Sequence, residues 1–216
     1  MRKICLLAFT ILMICISCQS SKGSKQEDRL EDFQIKSIVF FGENCTYGSS
    51  LSDRTKAFPH LIQERIDSLR WPYYVENAAA EGERSDQGLE RIPTVIHSKM
   101  EVIVLTHGPS DPESGLSLDE TRENLQGMID IARTQYPMSS IVLADLYPLN
   151  LDDKTRQQVD TLFLELAINN QAAYIPSPWR DMSSQLYRDV DWEDFLQEDT
   201  HKFIANHIWQ HLENFL

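Results

Sequence analysis

The sequence has few cysteines outside its first 18 residues. Three of its four cysteines, Cys5, Cys15 and Cys18, lie in that stretch, and Cys45 is alone in the rest of the chain. One thiol cannot form an internal disulfide, so a hydrophobic core rather than a covalent cross-link has to stabilise the fold. The chain has 216 residues, 42% of them hydrophobic, which is enough for one such core and too few for two ordinary domains.

The sequence also has few basic residues and no long apolar run. Lys and Arg number 20 against 33 Asp and Glu, a formal net charge of −13, which becomes −15 once the two cations Arg2 and Lys3 are removed. A surface this acidic repels phosphates and anionic head groups, so we expect no nucleic-acid partner. The apolar run Ile4–Ile16 is shorter than the ~20 residues that a membrane-spanning helix needs.

The N-terminus instead has the layout of a secretory signal, with a positive start followed by the apolar run. The run ends in Cys15-Ile16-Ser17-Cys18, which resembles a bacterial lipobox. The resemblance implies cleavage before Cys18 and a diacylglycerol thioether on its sulfur. The alternative is an ordinary cleaved signal with an incidental cysteine. We predict a signal segment over 1–17, a lipidated cysteine and polar tether over 18–33, and a domain over 34–216. The protein would then be exported and held on a bacterial membrane, periplasmic or surface-exposed, by this lipid alone.

In the domain, short apolar runs alternate with longer amphipathic stretches. The short runs are typical of strands buried on both faces, and the alternation predicts an α/β fold with a parallel sheet covered by helices on both sides. The expected strands are Ser37–Phe41, Tyr73–Asn77, Glu101–Thr106, Ser140–Leu146 and Ala172–Ile175, and the expected helices are Phe58–Leu69, Leu118–Tyr136, Asp152–Asn170 and Lys202–Leu216. Ligands of such open sheets bind at the carboxyl ends of the strands. This rule selects the loops Gly42–Gly48, Ala78–Ser85 and His107–Gly115.

These loops resemble the sequence blocks of the SGNH (GDSL-type) hydrolase superfamily, in its arylesterase- and lysophospholipase-like branch. Ile38–Gly48 (IVFFGENCTYG) is similar to a strand followed by G-D-S-L-T-x-G, Asn77–Glu83 (NAAAEGE) to N-A-G-x-S-G-[DE], and Leu105–Asp111 (LTHGPSD) to G-x-N-D. The resemblance covers residues 37–216. It implies a three-layer, flavodoxin-like domain with a five-stranded parallel sheet and helices on both faces.

The family's chemistry needs a serine nucleophile, a histidine base, an aspartate three residues before that histidine, and oxyanion donors from a glycine N–H and an asparagine amide. Here the nucleophile position holds Asn44, whose carboxamide has no dissociable proton and is a poor nucleophile. Gly82 is retained, and the asparagine position holds Ser110. The resemblance therefore implies an esterase or acyl-hydrolase ancestry with replaced catalytic side chains.

The C-terminal family block, D-x-x-H-P, can be placed in two registers. Without gaps it falls on Trp192, Phe195 and Leu196, and His201 then matches a second, non-catalytic histidine. A shortened alignment places Glu198 and His201 on D-x-x-H and would preserve a carboxylate and a base. We favour the ungapped register because its spacing fits from both sides.

Three other groups are candidates for chemistry. Cys45 is a substitute nucleophile in one interpretation and a core residue in the other, and His107 is expected at the pocket wall. His207 and His211 have the spacing of two metal ligands, but no third ligand is evident, so we expect a solvated helix face, no metal and no cofactor.

The resulting prediction is an SGNH hydrolase-like lipoprotein without ester hydrolase activity. It would bind an acyl or glycan ligand at Asn44, Gly82, His107 and Ser110. The alternative is an active esterase that uses Cys45 or a bound water with Glu198 and His201. The sequence leaves the oligomeric state open.

Overall fold

Five parallel strands form one sheet, as the apolar runs predict. The structure is a computed structural model that describes residues 35–146, 151–180 and 197–216. The order in the sheet is β2-β1-β3-β4-β5. The strands are β1 (Lys36–Phe41), β2 (Tyr73–Asn77), β3 (Met100–Leu105), β4 (Ser140–Ala144) and β5 (Ala173–Ile175).

Helices cover both faces of this sheet. One face carries α2 and the C-terminal helix α6, which pack against each other. Helix α4 packs between α3 and α5. The helices of the described residues are α1 (Asn44–Tyr47), α2 (Phe58–Leu69), α3 (Ser85–Arg91), α4 (Leu118–Gln135), α5 (Asp153–Asn169) and α6 (Glu198–Leu212). Single 3₁₀ turns cover Arg54–Lys56, Ile92–Thr94 and Glu213–Phe215. The architecture is the three-layer α/β fold that the sequence predicts.

Local signals account for the starts of α4 and α2. A capping box begins α4: the Ser117 hydroxyl accepts from the Glu120 N–H at 3.2 Å, and the Glu120 carboxylate accepts from the Ser117 N–H at 2.8 Å. Helix α2 has Pro59 in its first turn, where the missing N–H costs no hydrogen bond. Helix α6 begins at Glu198, four residues before the predicted start.

The core lies on both sides of the two central strands. In β1, Ile38 to Phe41 have no exposed surface, and neither do Val102 to Leu105 in β3. Phe40 packs edge-on against Phe58 of α2, with ring centroids 5.4 Å apart. Because both central strands are enclosed, their carboxyl ends hold fixed positions for the loops that follow.

No helix among residues 35–146, 151–180 and 197–216 is long and apolar enough to cross a membrane. The predicted signal segment, Cys18 and the tether lie outside the described residues, and so do Trp192, Phe195 and Leu196.

Candidate functional site

The three predicted loops meet where the strand order reverses. The chain runs from β1 outward to β2 and then returns to β3 on the other side of β1. Backbone hydrogen bonds extend the sheet into these loops: Ala78 N–H donates to Phe40 O at 2.8 Å, Ala80 N–H to Gly42 O at 3.0 Å, and Thr106 N–H to Phe41 O at 2.9 Å. Strand ends tied in this way form one edge, and we refer to the space above it as the cleft.

Close packing at this edge requires glycine after β1. A Cβ on Gly42 would lie 1.6 Å from the Thr106 hydroxyl oxygen. That hydroxyl pairs with the Thr46 hydroxyl at 2.6 Å, beneath the first turn of α1. The β1–α1 turn is therefore fixed against β3, and it presents the next residues at the cleft.

Asn44 is the first residue of α1 and lies at this edge of the sheet. Its side-chain carbonyl oxygen accepts the Gly82 N–H at 2.5 Å and is 3.4 Å from the Ser49 hydroxyl. Gly82 is exposed and has φ +68°, a left-handed conformation that L side chains rarely adopt. The structure thus brings Asn44 and Gly82 together and shows the glycine donor engaged by the side chain of Asn44.

Ser110 reaches the same cleft from the third loop, where buried carboxyl groups hold the backbone. Its N–H donates to the Glu43 carboxyl at 3.2 Å. The neighbouring Asp111 has no exposed surface and accepts from the Ser85 N–H at 3.0 Å and the Thr121 hydroxyl at 2.8 Å. The three loops are linked through these side chains.

Glu43, next to Asn44 in the chain, is a buried titratable group, as is Asp111. Glu43 is 7% exposed, and loss of hydration raises the pKa of its carboxyl to about 8. Negative charge on Asp111 also raises this pKa, while the hydrogen bonds from Ser110 lower it. At neutral pH the carboxyl is mostly protonated.

The raised pKa of Glu43 predicts a loss of stability at alkaline pH. Its ordinary value is 4.5, so between pH 4.5 and about 8 the folded chain retains a proton that the unfolded chain has lost. The free energy of unfolding should therefore fall as pH rises to about 8 and level off above it. Glu43→Gln should remove the contribution of Glu43 to this fall and leave that of Asp145, whose carboxyl pKa is also raised by burial. At pH 9 the variant should be more stable than the unsubstituted chain by a few kcal/mol in urea denaturation.

The exposed Glu90→Gln variant is the control for this experiment, and it should follow the unsubstituted chain. Parallel curves for Glu43→Gln and the unsubstituted chain from pH 5 to 9 would contradict the assignment of a protonated carboxyl.

His107 does not line the cleft, which corrects the sequence expectation. It has no exposed surface, and its ring lies against Phe41 with centroids 4.5 Å apart. Its Nε2 is 2.7 Å from the Glu83 carboxylate, which also accepts two hydrogen bonds from Arg91 at 2.6 and 2.5 Å. Burial raises the pKa of Glu83, but the hydrogen bonds and charges of Arg91 and His107 lower it to about 2. The histidine is therefore part of a hydrogen-bonded cluster with Glu83 and Arg91, in which only His107 itself is fully buried.

His201 is buried between α6 and α2. It has no exposed surface, its Nδ1 accepts the Phe58 N–H at 3.3 Å, and its ring is stacked on that of Phe58. Burial lowers its pKa to about 4, so the imidazole is neutral at pH 7. Glu198 is an exposed residue in the first turn of the same helix. Neither residue is among those that the structure brings to the cleft.

Cys45 lies in the core, with 4% of its surface exposed. Burial raises the pKa of its thiol, with a further contribution from Glu43, so the reactive thiolate is disfavoured. His207 and His211 also have structural contacts: His207 Nε2 bonds to Pro176 O at 2.8 Å, and His211 Nδ1 to His207 O at 2.9 Å.

Sequence reasoning did not assign a site role to Glu43, Glu83 or Arg91. Glu43 has a sequence signal, because it stands between the glycine that closes β1 and the nucleophile position. Arg91 has no such sequence signal, because its partner Glu83 is eight residues away and the pairing depends on how α3 packs.

The fold and the three loops define a domain of the α/β class, with its candidate site at the point where strand order reverses. The family model of the GDSL-like lipase/acylhydrolase family matches residues 40–201. The esterase TesA of Pseudomonas aeruginosa is 24% identical over 142 residues, which are 65% of this chain and 70% of that protein. The chain belongs to the GDSL-like lipase/acylhydrolase family, within the SGNH superfamily.

Solved structures agree on the fold. A crystal structure of TesA superposes with a TM-score of 0.72 at 19% identity, over 84% of this chain and all of that one. The acetyl xylan esterase AlAXEase superposes with a TM-score of 0.64 at 17% identity, over 81% of this chain and 98% of that one.

Proposed function

We propose that this chain binds an acyl or glycan ligand in the cleft and does not hydrolyse esters by the serine route of its family. The observation that carries the proposal is the bond between Asn44 Oδ1 and the Gly82 N–H at 2.5 Å. A carboxamide at the nucleophile position has no proton to lose and cannot start acyl transfer. Its carbonyl oxygen also takes the backbone donor that would stabilise an oxyanion.

Hydrogen-bonding groups that remain exposed in the cleft support the binding proposal. Gly82 is exposed, Asn44 and Ser110 are partly exposed, and a side-chain amide and a hydroxyl donate hydrogen bonds to a carbonyl or sugar oxygen. Two relatives are named as an esterase and an acetyl xylan esterase. An acyl chain or an acylated sugar is therefore the ligand class that we propose for this chain.

An active esterase built on Cys45 or a water with Glu198 and His201 has less support. The thiol is buried, and burial raises its pKa. The imidazole of His201 is enclosed, and its Nδ1 accepts a backbone hydrogen bond from Phe58. A general base has to reach the group whose proton it takes, and His201 in this position faces α2.

Titration calorimetry with octanoate and with acetylated xylotriose tests the binding proposal. At least one of the two should bind, while p-nitrophenyl butyrate is hydrolysed no faster than in buffer. Ser110→Phe should fill the cleft and abolish binding, and Ser98→Phe, before the amino end of β3, should leave it unchanged. Binding of neither probe, or ester turnover by the unsubstituted chain, would overturn the proposal.

We also propose that the protein is exported and anchored to a membrane through a lipid on Cys18. The support is the signal-like layout of residues 1–17 and the lipobox-like Cys15-Ile16-Ser17-Cys18. In a bacterial host, Cys18→Ser should move the full-length protein from the membrane pellet to the soluble fraction, whereas Cys15→Ser should leave it in the pellet. Equal partition of the two variants would contradict the anchor.

A further inference from the structure

Most of the exposed large hydrophobic side chains lie at one end of the domain. The five strands are parallel, so their first residues lie together at what we call the amino end, and the cleft is at the opposite end. Helices that lead into a strand finish at the amino end, and so does α6, because Phe215 lines a groove with Ser140 and Ala173. Of the eight such side chains exposed in the described residues, five are at this end: Ile35, Leu69, Met138, Ile168 and Phe215.

Two adjoining grooves connect three of these five side chains, which we call together the amino-end surface. Ile35 and Met138 line a groove of about 360 Å³, and Phe215 lines one of about 450 Å³. Pro137 and Ser139 belong to the lining of both grooves. Met138 is 92% exposed, so the core gains almost nothing from it. Exposed apolar side chains grouped in this way on a folded domain mark a contact surface for a protein or a membrane.

The two ends of the domain differ in charge. The amino end contains four Asp or Glu and four Lys or Arg, in residues 35–37, 67–74, 97–101, 130–141, 168–174 and 213–216. The described segments of the cleft end contain 14 Asp or Glu and four Lys or Arg, in residues 42–57, 78–86, 107–120, 145–146, 151–153, 176–180 and 197–199. The amino end is therefore formally neutral and the cleft end strongly acidic. A bilayer with anionic head groups repels the cleft end and not the amino end.

The chain also enters the domain at the amino end. Lys36 is the first residue of β1, and 16 residues separate it and Ile35 from Cys18, the proposed site of the lipid. A segment of this length spans at most about 55 Å even when it is fully extended. A bilayer that holds the lipid is thus kept close to the amino end.

We propose that the amino-end surface docks on the phospholipid bilayer, with Ile35, Met138 and Phe215 among the head groups and the cleft turned toward water. Lys36 and Lys99 line the same groove as Met138, where their ammonium groups can reach lipid phosphates while their stems lie along apolar surface. The inference rests on the proposed lipid anchor for the presence of a bilayer. It goes beyond that proposal because it gives the domain an orientation, in which ligands reach the cleft from the aqueous side.

Fluorescence quenching on vesicles tests this orientation without the natural lipid. The chain of residues 19–216, which keeps all buried hydrophobic residues of the described part, is held by an N-terminal histidine tag on vesicles of phosphatidylethanolamine, phosphatidylglycerol and a nickel-chelating lipid. Met138→Cys carries a nitrobenzoxadiazole dye, and Cys45 is buried and escapes labelling. On vesicles the emission should shift to the blue and fall by about half or more with nitroxide-labelled lipids, because interfacial apolar groups lie about 5–10 Å deep.

Matched variants separate docking from mere attachment by the tag. The dye on Phe203→Cys, an exposed position in the first half of α6, should show neither the blue shift nor the quenching. Ile35→Asp with Phe215→Asp should abolish the quenching at position 138, because carboxylates resist transfer out of water. Phe203→Asp with Ser114→Asp adds the same charge at exposed positions toward the cleft end and should leave that quenching unchanged.

Three results would overturn the orientation. The first is equal quenching of the dyes at positions 138 and 203, and the second is quenching at position 138 that survives Ile35→Asp with Phe215→Asp. The third is blue-shifted emission at position 138 before vesicles are added, which would mean that the chain itself or a second copy covers the surface. The lipid anchor is tested separately by the partition of Cys18→Ser, so its failure is distinguished from failure of the docking surface.

Discussion

Restoring four family side chains should convert this chain into an esterase. We expect the quadruple variant Asn44→Ser, Ser110→Asn, Trp192→Asp and Phe195→His to hydrolyse p-nitrophenyl butyrate at least about a thousandfold faster than the unsubstituted chain. The variant combines a nucleophile with an acid–base pair at the D-x-x-H spacing of the family. Asn44→Ser also frees the Gly82 N–H for an oxyanion, since that donor is bound by Asn44 in the present structure.

The activity of the double variant Asn44→Ser with Ser110→Asn distinguishes between the two alignments of the C-terminal block. It keeps Glu198 and His201 as the only candidate pair, and we expect no detectable gain in hydrolysis. The reason is that His201 is fully buried and its Nδ1 accepts the Phe58 N–H. If the double variant is as active as the quadruple one and His201→Gln abolishes the activity, the favoured register is wrong.

The matched control is a variant in which the D-x-x-H motif is moved by one residue. Asp191 is already a carboxylate, so Asp194→His creates the same D-x-x-H spacing one residue earlier in the chain. Combined with Asn44→Ser and Ser110→Asn, it should remain inactive because the imidazole then starts from the wrong backbone position. Thermal unfolding of each variant shows whether an inactive chain is still folded.

The fold could be predicted where a helix is long or where a short run of strand-forming residues has clear ends. The bounds of α2 and β2 agree with their predictions to the residue, because a periodic apolar face and a bounded apolar run are strong signals. Helices α1 and α3, of four and seven residues, were not predicted, since one or two turns give no period to detect. The early start of α6 places Glu198 and Asp199 in its first turn, where the helix dipole favours acidic side chains.

The location of the candidate site in the fold could be predicted, but only part of its side-chain contacts could. The rule for open sheets selected the loops that carry Asn44, Gly82 and Ser110, and the structure brings these loops together. The rule does not tell which side of a strand end a residue faces, and His107 accordingly proved to be buried. Ion pairs between distant segments, such as the one at Glu83, depend on tertiary packing that no local pattern encodes.

Removing the Glu83 carboxylate should destabilise the fold. In Glu83→Ala the fully buried His107 and the Arg91 guanidinium both lose their partner. Removing one side of this part-buried, hydrogen-bonded cluster costs about 1–3 kcal/mol, because the fully buried His107 is left without the carboxylate that it faces. Urea denaturation at pH 7 measures this loss, and the exposed Glu81→Ala variant, two residues earlier, is the control.

The stability lost in Glu83→Ala should become smaller as the pH falls. The pKa of this carboxyl is lowered from an ordinary 4.5 to about 2 in the folded chain. A lowered carboxyl pKa contributes stability that is complete above pH 4.5 and is lost as pH falls to about 2. The stability difference between the unsubstituted chain and Glu83→Ala should therefore be largest at pH 6 to 7 and shrink as pH falls from 4.5 toward 2. A difference that stays constant across this range would mean that the variant lost packing contacts rather than an ion pair.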